Sequence, residues 1–393
     1  MGAGPVGLLF AALLQTVKDV DVRLYEKRSE YTRGRMVQLE QYLVADSIES
    51  YSTDPIDGDN VEAVFSPLEI LEAIEIRRSI APDLMELLRT LTRGFCPLNH
   101  IEESLSDLID ARSTNSVQRI STTMTKPEAI ELLEPGDMLV DSTGSHSLLR
   151  DHLVHGVQEG EEPSNTQVIH LEDALVVTFL YGERYVCNEY CKYYKNVGNA
   201  QYKFIPSVHR TYSDGGITHV TGIITITAEE FEAMPPQFDG QWLRDNFPDV
   251  ASSMDRFIDK VREESHGEIV GDLGIIRIPL NLYRARNATS RPWHVMGPFY
   301  HPFASTPVFL LGDSAIGSPY FQSISLGFEC AMFLAALIAQ RDLPPKDLLE
   351  RYEQFVYKQW LRVYMRSKVI KHNKDLLQTI DDKDALLESL PLY

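Results

Sequence analysis

Cysteine is scarce: four in 393 residues, at 96, 187, 191 and 330, too few and too scattered for a disulfide framework. Cys187 and Cys191 lack the second ligand pair that a zinc site needs. A reducing, cytoplasmic setting is therefore expected. Basic charge is also short. With 37 Lys and Arg against 57 Asp and Glu, the net charge is −20. That argues against a nucleic-acid partner and against broad attraction to anionic lipid. No stretch reaches the roughly 18 apolar residues of a membrane span. The nearest, 327–339, is short, contains Glu329 and reads as a buried helix. No basic region precedes the apolar residues 3–14, so they do not read as a signal peptide. Position 6 is Val rather than the Ser or Thr of a myristoylation signal. Ser145-His146-Ser147 has no Gly-x-Ser-x-Gly elbow beside it, which argues against a hydrolase. The acidic loop at 50–62 lacks the ligand spacing of a calcium loop.

What is present begins at the first residues, Gly2-Ala3-Gly4-Pro5-Val6-Gly7. Such a glycine series gives a tight turn, lets backbone approach a pyrophosphate, and lets the next helix pack closely. The helix N-terminus then faces the phosphates with free N–H groups and positive dipole. Residues 4–17 read as that helix, and Val20–Glu26 alternates as a strand. Glu26 lies 19 residues beyond Gly7, where a carboxylate can accept hydrogen bonds from an adenosine ribose. A strand of about five residues normally runs into the first glycine of this unit. Here only Met1 precedes it, so the first strand is expected to be missing.

Further along, residues 68–91 have helical apolar spacing broken at Pro82, and 137–140 lead into Asp141-Ser-Thr-Gly-Ser-His-Ser-Leu-Leu-Arg150. After about 165 the composition turns to β-branched and aromatic residues. Segments 168–180, 193–205, 217–227 and 269–282 read as strands of a mostly antiparallel sheet, with helices within 228–266. Val308-Phe-Leu-Leu-Gly-Asp313 is an apolar strand, followed by a helix over 325–340. Asp313 is either a hydrogen-bond acceptor for polyol hydroxyls or an N-cap. A last amphipathic helix starts near Lys346, with Leu349, Tyr352, Val356, Trp360 and Val363 on one face. It carries Lys358, Arg362, Arg366, Lys368, Lys371 and Lys374 with no acid between them. These either dock on a membrane surface or acidic partner, or pin the helix to its own acidic domain.

Taken in order, three segments resemble the flavoprotein aromatic hydroxylases, single-component FAD monooxygenases similar to para-hydroxybenzoate hydroxylase. They are Gly2–Gly7 with Glu26, Thr143–Arg150, and Leu311-Gly312-Asp313-Ser314-Ala315 with Pro319. The resemblance implies an α/β fold. A Rossmann-like FAD-binding domain (1–165 and 291–345) would carry an inserted, mostly antiparallel substrate domain (166–290) and a C-terminal helical segment (346–393). By position, Gly2, Gly4, Pro5, Val6 and Gly7 would cradle the FAD pyrophosphate, and Glu26 would hold the ribose. Arg35 would face a phosphate, and Arg77, with Arg78 beside it, would touch the cofactor. Asp313 would bind the ribityl chain, and Pro319 would lie beside the isoalloxazine.

The implied activity is oxygenation of a small, aromatic substrate, with NADPH or NADH reducing FAD and dioxygen supplying the oxygen atom. No catalytic base is assigned. His209, His219 and Tyr194 are candidates, each also readable as a packed or surface residue. Phe179, Tyr193, Tyr194, Tyr202 and Phe204 either line an aromatic pocket or are cross-strand core. The sequence departs from the family at Thr143, where Asp is usual, and at Ser314-Ala315-Ile316, where Ala-Ala-His is usual. It departs again at 320–327, which replace a glycine-rich turn. Two alternatives stay open: an FAD-dependent dehydrogenase or reductase without oxygenation, and a relative that has lost catalysis. The oligomeric state is not readable.

Overall fold

A computed structural model describes residues 1–33, 36–52, 64–112, 117–153, 164–182, 202, 204–214, 217–265, 267–290, 306–318 and 323–389. Helix α1 (Pro5–Leu14) places Pro5 in its first turn, where a missing N–H is harmless, and buries Gly7 to Leu14. Strand β1 (Val22–Glu26) follows. Helix α2 (Pro67–Ser79) starts at a Ser66–Glu69 capping box, and α3 (Pro82–Leu91) restarts at the proline that breaks the pattern. Then come α4 (Leu98–Ala111), β2 (Val117–Ser121), β3 (Leu139–Asp141) and the long β4 (Thr166–Tyr181). Strands β5 (Phe204–Asp214) and β6 (Ile217–Ile226) precede α5 (Pro248–Ser265) and β7 (Ile269–Ala285). The chain ends in β8 (Val308–Leu310), β9 (Ile316–Gly317), α6 (Ser323–Ala339) and α7 (Pro345–Ser389).

Two compact units divide the chain. The first comprises Met1–Arg93, Pro97–Ile169 and Leu282–Ser367; the second comprises Gly94–Cys96, His170–Asn281 and Lys368–Tyr393.

In the first unit the parallel sheet comes as two separate pairs. β1 pairs with β2 from Val22↔Val117 to Glu26↔Ser121, and β3 pairs with β8 from Leu139↔Val308 to Asp141↔Leu310. Among the described residues, Met1 and Gly2 stand between the pairs. The Met1 amine donates to the Val140 carbonyl (2.7 Å), and the Ser142 amide donates to the Met1 carbonyl (2.9 Å). The Gly2 amide donates to the Tyr25 carbonyl (2.8 Å). Two residues thus hold the position that a first strand would fill. Helix α6 is buried nearly all round, as a helix through a core must be. It meets α1 where Gly327 lies under Val6; a Cβ at 327 would come within 2.6 Å of the valine side chain.

The second unit is built on antiparallel pairs, β4 with β6 (Asp173↔Ile226 to Tyr181↔Thr218) and β6 with β5. Helix α5 supplies Met254, Phe257 and Ile258 to the core under this sheet. Phe179, Tyr202 and Phe204 are buried in that core, with Phe204 5.0 Å from Phe257 between ring centroids. They are cross-strand core. Tyr193 and Tyr194 lie outside the described residues, as does most of the expected strand 193–205. The side chains of His209 and His219 are likewise outside the description.

The expected apolar face of the last helix is buried at Leu349, Tyr352, Val356, Trp360 and Val363. Three of its basic residues turn onto the protein. Lys358 pairs with Glu69, Arg362 with Glu329 (3.1 Å) and Arg366 with Glu40 (3.0 Å). Among the described residues no helix is long and apolar enough to cross a membrane. No cluster of His, Cys, Asp or Glu among them could hold a metal ion.

Candidate functional site: a groove at the head of the first helix

The first turn of α1 is uncapped. Gly4 occupies the N-cap with no side-chain partner, and the first backbone bond within the helix is Leu8 N–H to Gly4 O at 2.9 Å. The amides of Val6 and Gly7 therefore precede the helix's own ladder and sit at its positive end. Val6, with Gly4 and Pro5 before it, lines a groove of about 540 Å³, within the range of small-molecule sites.

The glycines do different work. Gly2 has φ +91°, a conformation side chains avoid, and a Cβ there would lie 2.5 Å from the Ser142 carbonyl oxygen. A Cβ on Gly7 would overlap the Gly2 carbonyl and reach within 2.7 Å of Ser142 Oγ. Both are demanded by the protein's own packing. Gly4 is not. A Cβ there would meet nothing nearer than Arg33 Nη2 at 3.5 Å and Glu102 Oε1 at 4.0 Å. Glycine at position 4 leaves open a space the fold itself does not fill, which fits a group brought against the backbone.

Glu26 ends β1 at the mouth of this groove. One oxygen accepts the Ala3 amide (2.8 Å), and the other accepts the Arg28 amide and Nε (both 3.0 Å). Burial would raise its pKa; the Arg28 guanidinium and the two amides outweigh that and hold it below the ordinary carboxylate value. Glu26 is thus ionised and ready to accept from hydroxyls. Arg28 also reaches Glu102 (3.5 Å), and Arg33 pairs with the same Glu102 oxygen. Glu102 comes from α4 and is buried, and its second oxygen has no partner among the described residues.

On the opposite wall, buried Asp141 ties two motifs together. Its Oδ1 accepts the Thr143 amide (2.9 Å), the Thr143 hydroxyl (2.6 Å) and the Ser314 hydroxyl (3.2 Å). Its Oδ2 accepts the Ser147 hydroxyl (2.7 Å) and the Leu149 amide (2.8 Å). Ser314 also accepts the Gly144 amide at 3.1 Å. Arg150 donates to the carbonyls of Asp313 and Ser314 (3.4 Å each) and of Ser145 (2.6 Å), with Tyr283 under its guanidinium. The Tyr283 hydroxyl donates to the Asp313 carbonyl at 2.9 Å. Its pKa is raised, first by burial and then by the Asp313 charge, so it stays a protonated donor. Gly312 takes φ +66° and lies against Val6, which brings the late turn onto the head of α1.

Gly2, Gly4, Pro5, Val6, Glu26 and Asp313 all line the one groove. Gly7 lies beneath the turn rather than on its surface. Arg77 is elsewhere. It is buried, donating to the carbonyls of Tyr42 (3.1 Å) and Ala73 (2.6 Å) and pairing with Glu329 at 3.1 Å. Arg35 and Pro319 lie outside the described residues. The basic residues that line the groove are Lys27, Arg28 and Arg33, which the motif reading did not single out. Arg28 was within reach of that reading, two residues after Glu26. Glu102 was not, because no motif spacing marks it.

No family model and no curated protein matches this chain. Solved structures match its fold. The Diels-Alderase PyrE3 of the pyrroindomycin biosynthetic pathway aligns with a TM-score of 0.50 and 15% identity, covering 98% of this chain and 77% of that one. The flavin-dependent brominase Bmp2 aligns with a TM-score of 0.51 and 12% identity, covering 91% and 82% respectively. At such identities the likeness is one of fold: an α/β architecture with a Rossmann-like domain, an antiparallel sheet and a C-terminal helix.

Proposed function

We propose that this chain is an FAD-dependent monooxygenase that uses NADPH or NADH and dioxygen to oxygenate a small, aromatic substrate. One observation carries the reading. The opening glycine turn, Glu26 and Asp313 are separated by up to about 310 residues yet face one groove. A single extended ligand with a phosphate centre and hydroxyls on either side satisfies all three. FAD has that form, and the brominase neighbour is named as flavin-dependent.

In this reading the Val6 amide and the dipole of α1 receive the pyrophosphate, with Gly7 letting the turn pack closely beneath it. Arg28 and Arg33 lie close enough to the turn to balance its charge. Ionised Glu26 accepts from the ribose hydroxyls, and Asp313 accepts from the ribityl chain. Asp141 and Arg150 hold the wall that presents Asp313, through Ser314 and through the Asp313 carbonyl. When bound, the flavin would supply electron transfer and oxygen activation; the protein supplies orientation and charge balance. A second reading keeps the flavin without nicotinamide-driven oxygenation. It rests on Thr143, which stands where the resembling family has Asp and whose hydroxyl is engaged by Asp141 at 2.6 Å.

Titration of the full chain with FAD, followed by visible absorbance, tests the shared part. Saturable binding is expected, and Asp313→Ala weakens it about tenfold or more, the usual loss for a charge-assisted hydrogen bond. Failure to bind FAD sinks both readings. NAD(P)H oxidation with incorporation of labelled dioxygen into a phenol supports the first; bound FAD that nicotinamide does not reduce supports the second.

A further inference from the structure

We propose that Glu353 is a positioning residue that holds the Asp313 turn in place from α7, a role that rests on the reading of Asp313 as a cofactor contact.

Residues 288–290 run antiparallel beside β8. The Ser290 amide donates to the Val308 carbonyl (3.0 Å) and the Leu310 amide to the Ala288 carbonyl (2.8 Å), with Thr289 opposite Phe309. That pairing uses the Ser290 amide and the Ala288 carbonyl and leaves the Ala288 and Thr289 amides for another acceptor. Glu353 is that acceptor. Its Oε2 takes the Ala288 amide (2.9 Å), the Thr289 amide (2.8 Å) and the Thr289 hydroxyl (2.8 Å). Its Oε1 lies 3.1 Å from the Ala288 amide. Tyr352, one residue earlier, donates to the Leu310 carbonyl at 2.9 Å and meets Phe309 edge to face, 5.5 Å between centroids. Consecutive residues of α7 thus grip β8 and the strip beside it.

Two routes lead from this grip to Asp313. The first follows the chain, since Leu310 stands three residues before Asp313 and its amide is held by Ala288. The second crosses to Asn165, which is fully buried. Its Oδ1 accepts the Asn287 backbone amide (2.9 Å) and side-chain amide (3.2 Å). Its Nδ2 donates to the carbonyls of Asn287 (2.8 Å) and Arg150 (2.9 Å). Arg150 in turn donates to the Asp313 carbonyl (3.4 Å). Asn287-Ala288-Thr289 has the spacing of a glycan acceptor, yet its asparagine amide is spent on Asn165 and its threonine hydroxyl on Glu353. The conformation of this tripeptide serves the inside of the protein.

The acid is needed because three donors converge on one oxygen. A carboxylate accepts them as charge-assisted bonds. Glutamine has a single acceptor oxygen, and its NH₂ group would face amide donors.

The test is a double-mutant cycle on the full chain: wild type, Glu353→Gln, Asp313→Ala and the double variant, each titrated with FAD. Glu353→Gln is expected to weaken FAD binding about threefold or more, and to change it by less than about twofold once Asp313 is gone. A residue that only stabilises the fold would give equal losses in both backgrounds, and that result overturns the proposal. Hydrogen exchange on the FAD-free forms supplies the second readout. Glu353→Gln should speed exchange at the Ala288, Thr289 and Leu310 amides by about tenfold and leave the Leu8 amide of α1 unchanged. Unchanged exchange at Leu310 overturns the proposal even if no form binds FAD, an outcome that by itself removes only the flavin reading. Should Glu353→Gln fail to fold, Thr289→Val keeps the carboxylate, deletes one contact, and is held to the same pattern at smaller size.

Discussion

Two arginine–glutamate clusters stand in the first unit, alike in composition and opposite in setting. Glu329 on α6 lies between Arg77 and Arg362, all three side chains no more than 3% exposed, with the Tyr51 hydroxyl donating to the same carboxylate. Tyr42 and Tyr51 cover the guanidiniums, with Arg362 4.2 Å from the Tyr42 centroid and Arg77 4.8 Å from that of Tyr51. At the groove, Glu26 and Glu102 face Arg28 and Arg33, whose side chains are 28% and 45% exposed. The sealed cluster holds two guanidiniums on one carboxylate, all three closed off from any ligand. The open cluster balances two carboxylates with two guanidiniums but leaves the guanidiniums partly exposed, where a ligand can reach them. An arginine's meaning here follows from what its neighbours leave available, and the residue type alone does not reveal it.

The largest effect belongs to the sealed cluster. Burial would raise the pKa of Glu329, but Arg362, Arg77 and the Tyr51 hydroxyl together hold it below its ordinary value near 4.5. Glu329→Ala leaves two buried guanidiniums without their anion and should cost about 3–5 kcal/mol of stability, read by urea unfolding. The depressed pKa sets the sign with pH. The wild-type stabilisation is complete above about pH 4.5 and fades as pH falls through the lower folded value. The variant should therefore lose less stability than wild type on acidification below pH 4.5. A parallel loss in both would show that Glu329 is not the titrating group.

The glycines sharpen the same contrast between what the fold needs and what a ligand needs. Gly7→Ala drives a methyl into the Gly2 carbonyl, so it should lower Tm markedly before any cofactor is considered. Gly4→Ala meets only ordinary contacts at 3.5 and 4.0 Å. It should cost less than about 1 kcal/mol at the N-cap yet weaken FAD binding about tenfold or more by filling the space against the backbone. Differential scanning calorimetry and FAD titration on the same samples separate the two. If Gly4→Ala bound FAD like wild type, the cradle would not be where the pyrophosphate lies.

These contrasts explain which parts the sequence could reveal. The head of α1, β1 with Glu26, and the late turn at Gly312-Asp313 were readable because each is local: spacing and conformation within a few residues determine them. The break at Pro82 and the buried face of α7 were readable for the same reason. The partner of Arg77 was not. It lies 252 residues away on an apolar helix, where the sequence pattern shows only an odd charge at Glu329. That odd charge was itself a signal, since a buried carboxylate must find cations. Asp141 was visible as the start of a motif, but its five acceptor contacts appear only when β3 meets the turn after β8. The backbone bonds of Met1 and Gly2 could not be read, because their partners on both sides come from elsewhere in the chain.

The smallest effect tests the open cluster, at Glu102. Its carboxylate lies 4.0 Å from where a Gly4 side chain would begin, and it holds both Arg28 and Arg33. A negative charge at a helix N-terminus is favourable while the groove is empty of phosphate, and is repulsive to a pyrophosphate arriving there. Glu102→Gln should tighten FAD binding about two- to tenfold by removing that repulsion and releasing Arg33, at ~1 kcal/mol of stability in the FAD-free protein. The gain should shrink at high salt, because the groove side of the cluster is exposed to screening. Weaker FAD binding in the glutamine variant would mean that Glu102 positions Arg33 for the phosphate. The open cluster would then be as internally committed as the sealed one, and the distinction between them would fall.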